Sequence, residues 1–299
     1  MHDPVIILAP PRSFTSVICT ALGEHPSLYG VPELHLFMAE TMRERDGMMA
    51  QLRFLEHGLL RVVSQLFGDE QTLQTVSLAR RWLEIRLNCT CASVLRELVE
   101  KVNSRILVDK SITTVLQSEN LQRVESAFPN TRFIHLTRHP RSMGESLWKM
   151  GGRVAADYMD ALDYSTDPPV TDFQRLWYRT HMNIITFLNG QPDWKWRRVR
   201  GEDLLADPDR HFPELAKWLD LPADEQSIEV MKHPERSPYA CLGPANAALG
   251  NDPGFLREPA LRPYVPPEEL TLDGPLDWRE DGVEFSPEVK ALAAEFGYR

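Results

Sequence analysis

Polar residues of the kind that bind anions follow three apolar runs of this sequence. Arg12 comes after the run at residues 5–9, and Lys110 stands near the end of the run at 105–111. A third run, at 132–138, ends in an arginine. If the runs are strands of one parallel sheet, their carboxyl ends meet at a single crevice. The sequence therefore predicts a site in which guanidinium, ammonium and hydroxyl groups hold a charged ligand.

The segment after the first run has the features of a phosphate-binding loop. It reads Pro-Pro-Arg-Ser-Phe-Thr-Ser at residues 10–16, and the apolar positions of a helix follow at 17–22. A strand, a polar loop and a helix present backbone N–H groups and a positive helix end to an anion. The loop lacks the Gly-Lys-Thr of nucleotide hydrolases, which disfavours Mg²⁺-dependent use of ATP or GTP. A P-loop kinase-like enzyme is therefore the weaker alternative.

Strand and helix patterns alternate along the chain. Short apolar runs rich in β-branched residues indicate strands buried on both faces. Their alternation with helices predicts an α/β, P-loop-like three-layer fold with a central parallel sheet flanked by helices. We expect strands at 5–9, 105–111, 132–138 and 196–200, and further helices at about 115–127 and 211–219.

Two longer regions complete the predicted architecture. Residues 38–102 have mostly helical periodicity and are expected to form a helical layer or cap. Residues 233–275 are rich in Pro, Gly, Asn and Asp and predict a long C-terminal loop region that serves as an active-site flap. No internal repeat or clear linker stands out, so a single domain over residues 1–299 is expected.

The composition disfavours several classes of function. The chain has 299 residues, with 33 Lys and Arg against 43 Asp and Glu, for a net charge of −10. An acidic molecule repels polyanions, which argues against a nucleic-acid partner. The four cysteines are expected to be reduced thiols, and neither a disulfide scaffold nor a metal site is expected. Without a signal-peptide core or an apolar run of about 20 residues, we expect a cytoplasmic protein with no membrane span.

Two separated stretches resemble the sulfotransferases that use 3′-phosphoadenosine-5′-phosphosulfate (PAPS). Residues 11–16 are similar to the 5′-phosphosulfate loop of that family. Residues 133–146 resemble its 3′-phosphate motif, a strand that ends in Arg with a Ser eight positions later. Among bacterial members, the layout is most similar to the sulfotransferase domains of polyketide olefin synthases, which sulfate a hydroxyl on a carrier-bound chain. Further matches stand at 32–36, 108–111, 199–205 and 252–256.

The resemblance implies which residues hold the donor and its product, adenosine 3′,5′-bisphosphate (PAP). Two arginines at strand ends, each with nearby hydroxyl groups, favour anion binding over surface ion pairs. Phe14 stands where the family usually has glycine, so we expect the loop to adopt a conformation that a side chain tolerates. The donor-binding residues are then Arg12, Ser13, Phe14, Thr15 and Ser16 for the 5′ end, and Arg138 and Ser146 for the 3′-phosphate.

Four residues are candidates for the catalytic step. Sulfuryl transfer depends on in-line positioning, charge stabilisation and a base for the acceptor's proton, and this scheme needs no metal. Glu33 and His35 follow the first helix and are the candidates for the base, with Glu33 preferred. Lys110 is the candidate for stabilising charge on the bridging oxygen as the sulfuryl group leaves, and Arg12 faces the departing sulfuryl oxygens.

The acceptor is expected to be a hydroxyl of a small molecule, a lipid or a carrier-bound acyl chain. Tyr239, Leu242, Leu249 and Phe255 lie in the flap at about 237–262 and suit apolar parts of such an acceptor. The second interpretation is a non-catalytic nucleotide-binding or scaffold protein of the same fold.

Four other polar residues are expected to have secondary roles. His139 is expected to be structural. His181 is expected on a helix surface or at the acceptor site. The pair Glu202 and Asp203 is expected to be structural and to hold neighbouring loops by capping and ion pairing.

Overall fold

The centre of the fold is a five-stranded parallel sheet. The computed structural model describes residues 2–152, 156–265 and 270–299. The sheet order is β2-β3-β1-β4-β7, all parallel, while β5 and β6 form a separate antiparallel pair. The strands are β1 Val5–Leu8, β2 Leu28–Gly30, β3 Ile106–Asp109, β4 Arg132–Thr137, β5 Leu162–Asp163, β6 Val170–Thr171 and β7 Trp196–Arg200.

Apolar layers cover both faces of this sheet. On β1, Ile6 and Leu8 join one buried cluster, while Val5 and Ile7 join another. The two sets alternate because successive side chains of a strand point to opposite faces. The predicted α/β fold, with a central parallel sheet flanked by helices, is confirmed.

Helices occupy most of the remaining chain. Short 3₁₀ segments lie at Arg53–Glu56, Ile112–Val115, Asp193–Lys195 and Pro234–Arg236. Within the described ranges, none of the helices combines the length and apolar character that a membrane span requires. The α-helices include α1 Thr15–Gly23, α2 Met42–Met48, α3 His57–Gly68, α4 Leu73–Ile85, α5 Cys91–Lys101, α6 Ser118–Ala127, α7 Pro140–Lys149, α8 Phe173–Leu188, α9 Gly201–Ala206, α10 Pro208–Trp218, α11 Glu225–Met231, α12 Pro253–Arg257 and α13 Pro287–Glu295.

Several elements differ from those predicted. The expected strand at 105–111 ends at Asp109, and the expected helix at 115–127 is a 3₁₀ turn followed by α6, because Gln117 is extended. Strand β2 was not predicted, because its three residues are too few to show a strand period. Helix α10 begins at Pro208 rather than near residue 211.

The segment predicted as the flap, at 233–275, is mostly irregular. It contains only short helical pieces within its described part, at Pro234–Arg236 and in α12. Its residues 266–269 lie outside the described residues.

Side-chain caps fix where many of the helices begin. Thr41 caps α2, Thr90 caps α5 and Asp224 caps α11, in each case by accepting a backbone N–H. Such caps satisfy N–H groups that the first turn of a helix leaves without partners. Helix α1 differs because Phe14, which precedes it, makes no side-chain cap. The first-turn N–H groups of α1 therefore remain available beyond the end of β1.

Two glycines allow α1 to lie directly on β2. A Cβ atom on Gly30 would stand 2.3 Å from the carbonyl oxygen of Cys19, and one on Gly23 would stand 2.4 Å from the Gly30 nitrogen. These distances are too short for real Cβ atoms, so a side chain at either position would push helix and strand apart. Since β2 leads into the segment that carries Glu33, the contact also positions part of the site.

Replacing Gly30 tests this close packing. Gly30→Ala should lower the free energy of unfolding by roughly 1–3 kcal/mol, because the added methyl overpacks the interface between α1 and β2. Gly47→Ala is the control, since nothing lies within 4 Å of a Cβ added inside α2, and alanine there should stabilise by up to about 1 kcal/mol. Urea unfolding measures both changes. If Gly30→Ala is as stable as the wild type, the close packing of α1 on β2 is contradicted.

Candidate active site

Four parallel strands end at one cavity of about 600 Å³. Arg12, Glu33, Lys110 and Arg138 follow β1, β2, β3 and β4 in turn. They meet because the carboxyl ends of parallel strands lie at the same edge of a sheet. The predicted site residues that line the cavity are Arg12, Phe14, Thr15, Ser16, Glu33, His35, Arg138 and Ser146, while Ser13 and Lys110 are buried next to them.

A buried lysine connects the two halves of this site. Lys110 is 1% exposed, and its Nζ donates to Ser16 Oγ at 3.0 Å and to Glu33 Oε1 at 3.1 Å. Ser16 belongs to the first turn of α1, and Glu33 belongs to the segment after β2. A buried ammonium group is stable only when it is paired and hydrogen-bonded. Lys110 therefore holds the Glu33 carboxylate close to the first turn of α1.

The Glu33 carboxylate is ionised at neutral pH. Burial by itself raises the pKa of Glu33, but the charge of Lys110 and the contact with His35 outweigh burial and lower the pKa to about 2. The second carboxylate oxygen, Oε2, stands 3.3 Å from His35 Nε2. The Glu33 side chain keeps 22% of its surface exposed, whereas that of His35 is buried. Glu33 can therefore meet a molecule in the cavity directly.

Buried hydrogen bonds fix the backbone around His35. Ser111 Oγ accepts the N–H groups of Leu34 and His35 at 2.9 and 2.8 Å, and it donates to Asp109 at 2.8 Å. On the carbonyl side, the buried Arg45 donates to the oxygens of Leu34 and His35, both at 2.9 Å. His35 has a φ of 50°, in the left-handed region that non-glycine residues occupy at a cost. These bonds offset that cost.

The loop after β1 forms a cradle of donors. Arg12 and Phe14 have φ values of 63° and 61°, in the region that favours glycine. The backbone N–H groups of 15–17 precede the first helical hydrogen bond, which Ile18 donates to the Phe14 carbonyl. The buried Ser13 Oγ has no hydrogen-bond partner among the described residues. Together with the positive end of α1, these groups suit an anion.

Phe14 retains a glycine-like backbone conformation because its ring is held on several sides. The guanidinium carbon of Arg138 stands 4.2 Å from the ring centroid, and Tyr264 meets the ring edge-on at 5.8 Å. Gly201 leaves room for the ring, since a Cβ there would lie 2.6 Å from a Phe14 ring carbon. The loop thus keeps a backbone conformation that favours glycine, and these contacts hold the Phe14 side chain within it.

The Arg12 side chain lies between two polar partners. Its Nε donates to Ser146 Oγ at 2.9 Å, and its Nη1 forms an ion pair with Asp252. Arg138 donates to the Arg12 carbonyl oxygen. Burial lowers the pKa of Arg12 to about 10, with a further contribution from the charge of Arg138, so the group stays charged at neutral pH. The residues predicted for the two phosphates thus form one connected group.

The late part of the chain closes one side of the cavity. The Gly250 carbonyl accepts the Glu33 N–H at 3.0 Å, and the Asp252 N–H donates to Ser16 Oγ at 3.0 Å. Asp252 also begins α12 by accepting the Phe255 N–H at 3.0 Å. Asp252 was not predicted as a site residue, although an Asp-Pro pair is a recognisable helix start.

A buried arginine of α3 anchors this late segment. Arg61 is 0% exposed, and its guanidinium donates to the carbonyl oxygens of Leu249 and Pro238 and to Gln71 Oε1. A buried cation needs such partners. The segment is thus fixed to the helical region at one end and to Glu33 and Ser16 at the other.

Some residues that the sequence analysis named for the acceptor lie elsewhere. Tyr239 is buried, with its hydroxyl 2.9 Å from that of Tyr29, and Leu242 is exposed; neither lines the cavity. His181 is also not at the acceptor site or on a surface, because it is buried with its Nδ1 2.9 Å from His135 Nε2. Leu249 and Phe255 do line the cavity.

His139 and Glu202 have structural contacts. His139 begins α7 by accepting the Arg141 N–H. Glu202 accepts the His139 N–H at 2.8 Å and the Tyr298 hydroxyl at 2.9 Å. Asp203 forms an ion pair with Arg200 at 3.6 Å.

Known proteins share this architecture. The sequence pattern of the sulfotransferase family matches residues 4–225. The solved sulfotransferase domain from the curacin biosynthetic pathway has a TM-score of 0.80 and 24% identity, and the match covers 100% of this chain and 99% of that domain. The sulfotransferase domain from the Synechococcus PCC 7002 olefin synthase has a TM-score of 0.74 and 23% identity, and the match covers 100% of this chain and 97% of that domain. No curated protein matches the sequence.

The chain belongs to the sulfotransferase family, because the family pattern spans most of its length. This confirms the family that the two sequence stretches indicated. The similarity to the two solved domains shows that the fold is shared. Family and fold together support a sulfotransferase activity.

Replacing Asp252 tests whether its carboxylate competes with a bound anion for Arg12. Asp252→Asn should raise the affinity for inorganic pyrophosphate roughly fivefold or more, because the anion then meets one negative charge fewer. Asparagine still caps a helix, so α12 should persist. Asp224→Asn is the matched control, since Asp224 caps α11 in the same way and does not line the cavity. Titration calorimetry measures both, and unchanged affinity in Asp252→Asn would contradict the competition.

Proposed function

We propose that this protein transfers a sulfuryl group from PAPS to the hydroxyl of a small molecule, a lipid or a carrier-bound acyl chain. The observation that carries the proposal is the double contact of Lys110, with Ser16 in the loop and with Glu33 beyond β2. One cation thereby faces both the place for the 5′ end of the donor and a carboxylate that can receive a proton. In this proposal, residues 1–299 act as one domain, and 233–275 are its flap.

The loop after β1 fits the 5′ end of the donor. Arg12 offers a planar charged fork, and the N–H groups of 15–17 and the unpartnered Ser13 Oγ add further donors. For the 3′-phosphate, Ser146 offers its hydroxyl, and Arg138 offers its Nε, which is buried without a hydrogen-bond partner in the described part of the chain. Binding requires Arg12 to exchange the Asp252 carboxylate for an anionic group of the donor.

Positive charge is placed where it assists bond cleavage. When bound, the donor supplies a sulfuryl group whose bond to a phosphate oxygen breaks during the transfer. Lys110 and Arg12 flank the loop and stabilise negative charge that develops on this oxygen. The contacts of Lys110 with Ser16 and Glu33 exist before the donor binds, so this lysine needs little reorganisation at the moment of reaction.

Glu33 serves as the base. Its pKa of about 2 makes it weakly basic toward a free alcohol. The hydroxyl becomes strongly acidic as its oxygen bonds to sulfur, so a late proton transfer to Glu33 is favourable. The proton neutralises Glu33 and leaves the charge of Lys110 free to interact with the departing oxygen. Lys110 thus couples proton transfer to bond cleavage.

His35 acts as a positioning residue for Glu33. Its Nε2 faces Glu33 Oε2 at 3.3 Å, and its Nδ1 hydrogen-bonds with Thr113 Oγ1 at 3.0 Å. Because His35 is 0% exposed, an acceptor in the cavity meets Glu33 more readily. This geometry supports Glu33 over His35 as the base.

The similar solved structures bear on the choice of acceptor. One is a domain from the curacin biosynthetic pathway, and the other is a domain from an olefin synthase. Since the layout of this sequence also resembles the sulfotransferase domains of polyketide olefin synthases, carrier-bound hydroxyacyl chains belong among the acceptors to test.

Replacing the base should separate chemistry from donor binding. Glu33→Gln should slow PAP release from PAPS by about 10²–10⁴-fold, with 1-octanol as the acceptor probe, because no carboxylate then takes the proton. PAP should bind at least as tightly as to the wild type, since one negative charge is lost. Glu119→Gln, on the exposed surface of α6, is the matched control and should behave as wild type. A wild-type rate in Glu33→Gln would rule out Glu33 as the base.

A further inference from the structure

We propose that the acceptor is an alcohol with an extended apolar chain, which lies along one defined side of the cavity. The inference rests on the proposed function, because it assigns the acceptor half of the same cavity. We call this side the apolar wall, and it consists of Leu52, Phe54, Leu55, Leu147, Met150 and Met159. These residues belong to the start of the helical region and to the end of α7 and the segment after it.

The charged side chains that line the cavity come from other segments than the apolar wall. The acidic residues and arginines among the described lining residues are Arg12, Glu33, Arg138 and Asp252, all in the strand-end loops or the late segment. They are engaged with one another and with Lys110. A sugar or a phosphorylated acceptor would bury polar groups against the apolar wall, where few partners are present, and that burial is costly. An alkyl chain has no such cost.

Large apolar side chains are exposed around the opening of the cavity. Phe54 is 49% exposed, Met150 is 51% exposed and Tyr158 is 38% exposed, and all three line the cavity. Apolar side chains grouped on a surface in this way mark a place that a ligand covers. Because they line the same cavity as Glu33, the chain of the acceptor is the occupant that fits them. Its hydroxyl then meets Glu33, and its far end reaches the opening.

The late segment completes this surface and holds it in place. Leu249 and Phe255 add two further apolar side chains to the lining of the cavity. The Leu249 carbonyl accepts from Arg61 at 3.2 Å, and the Phe255 N–H donates to Asp252 at 3.0 Å. A preformed surface spends little free energy on ordering when a ligand binds. Apolar contact area should therefore translate into affinity.

The test uses alcohols of graded length. Binding of 1-butanol, 1-hexanol and 1-octanol is measured by titration calorimetry with PAP present, and their sulfation is measured with PAPS. Each methylene that contacts the apolar wall should raise the affinity and kcat/KM up to about fourfold. Glucose, which has many hydroxyls and no apolar chain, should bind and react poorly.

A charge on the apolar wall should selectively impair the longer alcohols. Phe54→Asp should raise the KM for 1-octanol roughly tenfold, with little change in kcat, in the KM for 1-butanol or in PAP affinity. Leu78→Asp is the matched control, because Leu78 is 61% exposed on α4 and does not line the cavity. That variant should match the wild type with every alcohol.

The outcomes separate this inference from the proposed function. If PAP binds but affinity does not rise with chain length, or if glucose is preferred, the inference on the acceptor is overturned while the donor site stands. An unchanged KM for 1-octanol in Phe54→Asp also overturns it. If the wild type does not bind PAP, the proposed function fails, and the inference fails with it.

Discussion

The buried ammonium group of Lys110 is the constraint on which the site depends. Removing such a charge from water costs several kcal/mol, so Lys110 is stable only while Ser16 and Glu33 both face it. That requirement fixes the first turn of α1 relative to the segment after β2, although β1 lies at the centre of the sheet and β2 at its edge. It also keeps Glu33 ionised, with a pKa of about 2.

Strained backbone surrounds this lysine. Arg12, Phe14 and His35 all have positive φ values, and each such residue costs on the order of 1 kcal/mol or more. Buried partners offset the cost: Arg45 and Ser111 hold His35, while Arg138, Tyr264 and the space above Gly201 hold the Phe14 ring. The donors therefore have fixed positions before any ligand binds, which electrostatic catalysis requires.

Local patterns were enough to predict much of the fold and the site. Apolar runs predicted four of the five strands in the sheet, and the polar residues at their ends included Arg12, Lys110 and Arg138. What was missed depends on contacts between distant positions. Arg61 reaches carbonyl groups 177 and 188 positions away, and Asp252 meets Arg12 only in the folded chain. Local composition around Phe14 also could not reveal that Gly201 makes room for its ring.

The most direct test of the account is the affinity for PAP when the central cation is removed. Titration calorimetry would compare the wild type with Lys110→Met and with the control Lys195→Met. Lys195 is also buried, but its Nζ pairs with Glu125 Oε1 at 2.8 Å and the residue does not line the cavity. We predict that the wild type and Lys195→Met bind PAP equally, and that Lys110→Met binds at least about tenfold more weakly. Wild-type affinity in Lys110→Met, or no PAP binding by the wild type, would contradict the account.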